Sequence, residues 1–322
     1  MFNKKVNLAV SLVVFLAFLL VISSGPVLAS FPERDITLIC PWAAGGGTDA
    51  VARVLAREAE NFTDVSINVE NRTGGGGAVG HGAGARAQPD GYTVTLTTVE
   101  LVIQPHIEDL PFSYEDYRPV MQVNFDPAAI TVPADAVWDN MDEFLAEARE
   151  RPGELSTSGT GAGGIWHLAT LALEAETGTE FIWVPSDGMA PAVTNLLGGH
   201  IDFVSGSPAE VASQVEAGDL KILGIFADER DPSFPDVPTL QEEGIDVDPI
   251  GAWRAIQVPV DTPDEIVEEL HRIFKNAYES EGFKETMQDL GLGMVYRGPE
   301  DFSEFVESNA VEFGNLVEEF GL

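Results

Sequence analysis

Short apolar segments alternate with amphipathic segments along most of this chain, and this alternation limits its fold more than any other feature. The run Ile36–Cys40 is apolar and of strand length, and residues 49–60 then place apolar side chains along one face of a helix. Further strand-like runs occupy residues 65–70 and 92–98. Such alternation is typical of βαβ units, in which helices cover a largely parallel sheet.

A second cycle of strands and helices occupies the middle of the chain, and a helical region ends it. Two extended stretches, residues 125–133 and 252–259, separate these blocks and are interpreted as crossings between lobes. We therefore predict an α/β fold of two lobes, each a mainly parallel sheet flanked by helices, with a ligand cleft between them. Lobe 1 would contain residues 30–125 and 254–322, and lobe 2 residues 126–253. Two crossings allow hinge closure, whereas a single crossing would favour independent lobes.

The first residues have the pattern of an export signal. Lys4 and Lys5 precede the apolar run Val6–Ile22, and the small residues of Val27–Ala29 fit a signal-peptidase site. We predict that residues 1–29 are a signal peptide cleaved after Ala29. An uncleaved membrane anchor is the alternative, because the apolar run is nearly long enough to span a bilayer.

The charge balance excludes several classes of partner. The chain has 53 acidic and 17 basic residues and a formal net charge of −36. This balance opposes binding to nucleic acid or anionic lipid and suits an acidic, halophilic-like surface whose self-repulsion is screened by salt. Cys40 is the single cysteine, so an internal disulfide is impossible, and its apolar surroundings predict a core position. We expect a monomer.

Two glycine-rich loops each join a strand to a helix. In residues 41–49, Thr48 or Asp49 is expected to cap the helix, whose positive end then forms an anion site without a charged side chain. Residues 156–164 offer a second cluster of hydroxyl and N–H donors, and the two loops could face each other across the cleft. A simple turn is the alternative for the first loop. His167, beside the second loop, is either a ligand contact or a packing residue.

A third glycine loop, residues 71–80, matches the dinucleotide-binding fingerprint, but Pro89 follows too soon for the required crossover helix. Its glycines are better explained by close backbone packing. The histidines lack metal-ligand spacing, and no known nucleophile or phosphate-loop motif is present. We therefore expect binding rather than catalysis, with no cofactor and no metal.

Several short motifs, in order along the chain, resemble the Bug family, the substrate-binding proteins of tripartite tricarboxylate transporters. They are Gly45–Asp49, Glu70–Arg72, Pro89–Thr93, Leu196–Asp202 and Phe234–Thr239. The resemblance implies a type II-like periplasmic-binding-protein architecture without catalytic activity. It also implies a small organic carboxylate as ligand and the transporter's membrane permease subunits as partners.

The resemblance also implies which loops contact the ligand, and Arg254 and His167 are added as candidates from their own positions. Trp253 corresponds to a cleft aromatic near the hinge. The complete set of predicted ligand-binding residues is Trp42, Ala43, Gly46, Gly47, Thr48, Asp49, Thr98, Glu100, Ser158, Thr160, Gly161, Ala162, Gly163, His167, Ser186, Asp187, Gly188, Ser205, Gly206, Trp253 and Arg254.

Some of these positions depart from the common family pattern. Asp187 stands where many members have lysine, and Glu100 is an acid in a loop that is usually small and neutral. Arg254 could supply the missing cation as a bidentate clamp, or it could form an interlobe salt bridge. Glu100 and Asp187 could instead select a ligand that also carries an amine.

Two other functions use the same cleft. An exported hydrolase or isomerase would need His167 or Glu100 as its general base. A sensory protein would deliver the bound ligand to a receptor kinase.

Overall fold

The computed structural model describes residues 31–322, which form two β-sheets with helices on their faces. Sheet 1 has the strand order β11-β4-β10-β3-β1-β2, and sheet 2 has the order β7-β6-β8-β5-β9. The strands are β1 Ile36–Cys40, β2 Ile67–Asn71, β3 Thr93–Thr98, β4 Tyr117–Pro127, β5 Ala129–Pro133, β6 Ser156–Ser158, β7 Ile182–Trp183, β8 Phe203–Gly206, β9 Leu220–Ile225, β10 Gly251–Pro259 and β11 Met294–Arg297.

Ten α-helices lie in the described residues. They are α1 Gly47–Ala59, α2 Ala78–Ala85, α3 Glu100–Ile103, α4 Met141–Glu150, α5 Ile165–Thr177, α6 Met189–Leu197, α7 Pro208–Glu216, α8 Asp264–Glu279, α9 Glu281–Asp289 and α10 Pro299–Phe320. No helix in residues 31–322 combines the length and the apolar character needed to cross a membrane. The predicted signal peptide, residues 1–29, lies outside the described residues.

Two apolar clusters fill the interior. One lies between sheet 1 and helices α1, α8 and α9, and it includes Leu38, Leu55 and Phe274. The other surrounds sheet 2 and continues through Trp253 to α10, where it includes Phe302. Amphipathic helices cover both sheets in this way because each must bury one apolar face. Cys40 is fully buried in β1, which confirms its predicted core position.

The predicted two-lobe α/β architecture is confirmed, and both sheets are mixed, with most strands of each sheet running in one direction. Strand β1 is parallel to β2 and β3, whereas β10 is antiparallel to both β3 and β4. In sheet 2, β5 is antiparallel to β8 and β9. In each sheet the strand by which the chain enters after a crossing, β5 in sheet 2 and β10 in sheet 1, is antiparallel to both of its neighbours.

The chain passes between the sheets at two places. Strand β4 ends at Pro127 and β5 begins at Ala129, within the first predicted crossing. The return runs through residues 226–250, so the interpretation of 252–259 as a crossing is wrong. That stretch lies in β10, where every residue is buried between β3 and β4. The division of the lobes at residues 125 and 254 stays a prediction.

Candidate functional site

The loop after β1 leaves the start of α1 without a side-chain cap. The helix begins at Gly47, and its N-cap is Gly46, which has no side chain to accept a hydrogen bond. The expectation that Thr48 or Asp49 caps this helix is wrong, because the helix already includes both residues. Its first N–H groups therefore face the space in front of the loop.

Asp49 instead holds the loop in shape. Its carboxylate accepts hydrogen bonds from the backbone nitrogen of Gly45 at 3.0 Å, from Arg53 Nε at 2.9 Å and from Asn71 Nδ2 at 2.8 Å. Burial by itself would raise the pKa of Asp49, but these hydrogen bonds outweigh it and lower the pKa. The carboxylate is thus a structural anion within lobe 1.

Two helices of lobe 2 begin in the same way. Helix α5 has Gly164 as its N-cap and α6 has Gly188, and neither has a side-chain cap. Together with α1, these helices begin at one cavity between the lobes. Helix N-termini carry partial positive charge and N–H donors that need partners from outside the helix, and their convergence makes the cavity suitable for an anionic group.

This cavity, here called the cleft cavity, is lined by residues of both lobes. The half of the molecule built on sheet 1 supplies Trp42, Ala43, Gly46, Gly47, Thr48, Thr98, Glu100, Ala252 and Arg254. Lobe 2 supplies Thr160, Ile165, Trp166, Gly188, Met189 and Glu210. The predicted ligand-binding residues did not include Ala252, Ile165, Trp166, Met189 or Glu210.

Arg254 is held by protein groups. Its Nε donates to Thr48 Oγ1 at 2.9 Å, and its Nη1 donates to both Asn124 and Asp126. The side chains of Arg254 and Asp126 are each only 2% exposed. Their ion pair lies within sheet 1, while Glu210 of lobe 2 is 4.0 Å from Nη2. The geometry therefore favours an ion pair over a free bidentate clamp.

Two carboxyl groups reach across the cleft in opposite directions. The backbone nitrogen of Ile165, at the start of α5, donates to Glu100 Oε1 at 3.4 Å. The backbone nitrogen of Gly47, at the start of α1, donates to Glu210 Oε1 at 3.4 Å. Each lobe thus places a carboxyl group at a helix start of the other lobe.

Burial raises the pKa of both carboxyl groups, which the nearby Arg254 guanidinium offsets only in part. Glu100 Oε2 accepts a hydrogen bond from Thr98 Oγ1 at 2.5 Å, and Thr98 Oγ1 in turn accepts from Trp42 Nε1 at 3.1 Å. The backbone nitrogen and the hydroxyl of Ser207 donate to Glu210 Oε2 at 3.3 and 3.2 Å, respectively. All these contacts to the two carboxyl groups come from neutral donors.

Hydroxyl groups in and near the cleft cavity remain without hydrogen-bond partners. Thr160 Oγ1 is buried and unpartnered among the described residues, and the residue lines the cavity. The hydroxyls of Ser158 and Ser205 are also buried and unpartnered, but these residues lie at the ends of β6 and β8 outside the cavity lining. Gly206, at the end of β8, lies outside the lining as well.

Other predicted residues lie elsewhere. A neighbouring groove between the lobes is lined by Gly161, Ala162, Ser186 and Asp187. A Cβ atom at Gly161 would lie 3.0 Å from the Cα of Gly76. The second glycine loop thus meets the third loop across the cleft.

His167 supports its loop. Its Nδ1 accepts a hydrogen bond from the backbone nitrogen of Gly163 at 2.9 Å, and its ring lies 4.6 Å from the Trp183 ring. Burial lowers the pKa of His167 to about 4, so the ring is neutral and can accept at neutral pH. These contacts agree with the packing alternative.

Trp253 is a core residue. Its Nε1 donates to Asn309 Oδ1 at 2.6 Å, and its ring packs 5.4 Å from that of Phe302. The aromatic residues of the cleft cavity are Trp42 and Trp166 instead. Trp253 lies in β10, and its side chain faces α10 rather than the cleft cavity.

The glycines of the third loop serve close packing, as predicted. A Cβ atom at Gly80 would lie 2.6 Å from the Cα of Pro41, which no real side chain tolerates. Helix α2 therefore packs directly on the first glycine loop and helps to position it. Within residues 31–322, no group of three or more acidic, histidine or cysteine side chains is arranged to hold a metal ion.

Two α/β lobes that enclose a cavity lined by helix starts are the architecture of the periplasmic binding proteins. The model of the tripartite tricarboxylate transporter family receptor matches residues 51–322, and the chain belongs to this family. Protein BugT of Bordetella pertussis is 31% identical over 306 residues, covering 92% of this chain and 93% of BugT.

Solved structures agree in fold. The periplasmic binding protein BugD superposes with a TM-score of 0.86 at 28% identity, over 90% of this chain and 99% of BugD. MatC from Rhodopseudomonas palustris, solved with bound malate, superposes with a TM-score of 0.84 at 26% identity, over 89% of this chain and all of MatC (100%). The resemblance to the Bug family is thereby confirmed.

Proposed function

We propose that this protein is an extracytoplasmic solute-binding protein that captures a small organic carboxylate for a tripartite tricarboxylate transporter. The observation that carries this proposal is the convergence of α1, α5 and α6, each with a glycine as its N-cap and so without a cap from that residue, on one buried cavity. Backbone N–H groups at helix starts bind carboxylates without a full countercharge. The relative solved with bound malate supports the same ligand class.

The proposed cycle is capture followed by closure. A ligand carboxylate would first contact the donors of one lobe, and the second lobe would then rotate about the crossings at Ala128 and residues 226–250. The contacts of Glu100 with Ile165 and of Glu210 with Gly47 enclose a cavity of only about 20 Å³. The lobes would therefore stop short of these contacts when a ligand lies between them, and a combined surface of both lobes forms. The proposed partners that bind this surface are the permease subunits of the transporter. The proposed location is the periplasm, after cleavage of the signal peptide behind Ala29.

The chemistry of the cavity favours binding over catalysis. His167, a candidate base, accepts from Gly163 and lies outside the cavity lining. Glu100, the other candidate, is engaged by Thr98 and Ile165. We therefore propose that the protein has no enzymatic activity, and we expect a bound ligand to be recovered unchanged after incubation.

A thermal-shift screen of purified, ligand-stripped protein tests the function. Dicarboxylates, tricarboxylates, aromatic acids and amino acids are added at low and high salt, and the protein is also purified without stripping for mass spectrometry of copurified solutes. A ligand at a hundredfold excess over its dissociation constant should stabilise the fold by about 2.7 kcal/mol. If no acid shifts the melting temperature and nothing copurifies, the proposed function is wrong.

A further inference from the structure

The charged groups around the cleft cavity are unbalanced. Glu100, Glu210 and Arg254 line the cavity, and Asp126 is paired with Arg254 behind it. Three carboxyl groups therefore share one guanidinium. No lysine or histidine is among the lining residues.

The two cavity carboxyl groups are buried without a cation of their own. Glu100 is 2% exposed, and the side chain of Glu210 is 6% exposed. Among the described residues, the cation near Glu210 is Arg254 Nη2, at 4.0 Å, and that guanidinium already serves Asp126. A buried carboxylate is costly unless a cation or several strong donors satisfy it. Glu100 has one short neutral donor, Thr98 Oγ1 at 2.5 Å, and the N–H contacts to Glu100 and Glu210 are long, at 3.4 Å.

A dicarboxylate ligand would increase this excess of negative charge. A dicarboxylate brings two more negative charges into a cavity whose one cation is already paired. The starts of α1 and α5 are already contacted by Glu210 and Glu100, so they are only partly available to a ligand anion. Helix α6, beginning at Met189, has no such carboxylate hydrogen bond in the described residues and can take one ligand carboxylate.

Other groups in the cavity suit a cation beside that carboxylate. The rings of Trp42 and Trp166 line the cavity, and aromatic faces attract ammonium groups. The buried hydroxyl of Thr160 has no partner among the described residues and can accept a hydrogen bond from an N–H donor.

We propose that the solute captured by this protein carries a cationic group as well as a carboxylate, and that Glu100 and Glu210 recognise the cationic group. The ligand class is an amino acid or another zwitterionic amino-carboxylate. This inference rests on the proposed binding function and specifies the chemistry of its ligand.

Titration calorimetry with matched ligand pairs tests the proposal. L-aspartate is compared with L-malate, which carries a hydroxyl in place of the amine, and β-alanine is compared with succinate, which carries a second carboxylate in place of the ammonium. In each pair the amine-bearing member should bind at least about tenfold more tightly, the range expected for one charge-assisted hydrogen bond. The Glu100→Gln and Glu210→Gln variants should each lose about tenfold for the amine-bearing member and little for the other.

Asp64→Asn is the matched control. Asp64 is an exposed acid outside both the cavity lining and the neighbouring groove, so its replacement should leave the preference within about twofold. Circular dichroism establishes that each variant is folded. If Glu210→Gln fails to fold because the Ser207 contacts are lost, Glu100→Gln decides the question alone.

The outcomes separate the two proposals. Tighter binding of malate and succinate than of their amine-bearing partners overturns the zwitterion proposal and leaves carboxylate capture intact. Diacid binding that tightens as the pH falls also overturns it, since the glutamates would then act as protonated donors. Absence of binding by all four probes, together with no copurified solute, means that the proposed function itself fails.

Discussion

Glu100 Oε1 lies 3.4 Å from the backbone nitrogen of Ile165, which places a buried lobe 1 carboxyl group at the first residue of a lobe 2 helix. Glu210 and Gly47 repeat this relationship in the opposite direction at the same distance. The closed arrangement of the lobes is therefore built on carboxyl groups at helix starts. These are the positions that a carboxylate ligand would otherwise use.

The first prediction concerns the buried charge of Glu100. Burial raises the pKa of Glu100 in the folded protein above its unfolded value of 4.5. The protonated side chain therefore contributes stability that is fully present below pH 4.5 and is lost as the pH rises through the folded-state pKa. Glutamine does not ionise, so the Glu100→Gln protein does not lose stability in this way as the pH rises. We expect its melting temperature without ligand to exceed that of the wild type at pH 7 to 8, and the two to converge near pH 4.

Melting curves across this pH range check the expectation. Glu108→Gln, at an exposed position in the same region, serves as the control and should follow the wild type at every pH. A Glu100→Gln protein that is less stable than the wild type at neutral pH would show that the carboxylate is well compensated.

The second prediction concerns the buried ion pair. Arg254→Met leaves Asp126 buried without its cation, and we expect the free energy of unfolding to fall by about 3–5 kcal/mol. The double variant Arg254→Met with Asp126→Asn should recover part of that loss. Urea denaturation measures both, and Arg34→Ala, which breaks an exposed pair with Asp90, should cost no more than about 1 kcal/mol.

The third prediction concerns pH and the buried His81. Its Nε2 accepts a hydrogen bond from the backbone nitrogen of Thr98 at 3.2 Å, and burial lowers its pKa from 6.5 to about 3. Between these two pKa values, His81 is protonated in the unfolded chain but neutral in the folded protein. Stability therefore falls as the pH drops from 6.5 toward 3, by up to about 1.4 kcal/mol per pH unit from this residue.

Replacement by glutamine, which keeps an acceptor for Thr98, checks this contribution. The dependence of unfolding free energy on pH between 6.5 and 4 should be shallower in His81→Gln than in the wild type. His167 titrates in the same direction and supplies a remaining slope. An unchanged slope in His81→Gln would mean that His81 is protonated in the folded protein.

The fourth prediction concerns Asp49. Its carboxylate is engaged by Gly45, Arg53 and Asn71 outside the cavity lining, although the loop sequence had placed Asp49 among the ligand-binding residues. For Asp49→Ala we expect the free energy of unfolding to fall by about 1–3 kcal/mol, with weaker binding as a consequence of the disturbed loop. Urea denaturation and calorimetry on the same variant measure the two losses, and Asp64→Ala at an exposed position should change neither.

The fifth prediction tests closure directly. A Cβ at Gly161 would lie 3.0 Å from the Cα of Gly76, so Gly161→Ala hinders contact between the lobes while leaving each lobe intact. We expect severalfold weaker ligand binding with a change in unfolding free energy within about 0.5 kcal/mol. Gly298→Ala, where the nearest atom to the new Cβ is Tyr296 Oη at 3.4 Å, is the control and should bind normally.

Local elements were predictable because local patterns specify them. Strand β1 has the bounds expected from its apolar run, and α1 begins two residues before the expected start because Gly46 takes the N-cap position. Strand β4 was largely missed. It contains Pro119, Gln122 and Asn124, and a proline or polar residue inside a strand hides the usual apolar pattern.

Part of the cavity was also predictable. The glycine loops led to Gly47 and Thr160, since a strand-to-helix junction exposes N–H groups whatever surrounds it. Glu210 was not among the predicted ligand-binding residues, although Ser207 and Glu210 have the spacing of a capping box, which they form at the start of α7. Glu210 could have been identified from its position at a helix start that directly follows a strand of the sheet.

The sequence by itself determined the alternation of elements, the membership of the family and the glycine loops, because each depends on neighbouring residues. Only the tertiary structure decided which charges share the cavity. Arg254 finds its partner Asp126 on an adjacent strand, and Glu100 and Glu210 meet helix starts of the opposite lobes. Burial and pairing of charges depend on distances between segments far apart in the chain, and local sequence patterns contain no such distances.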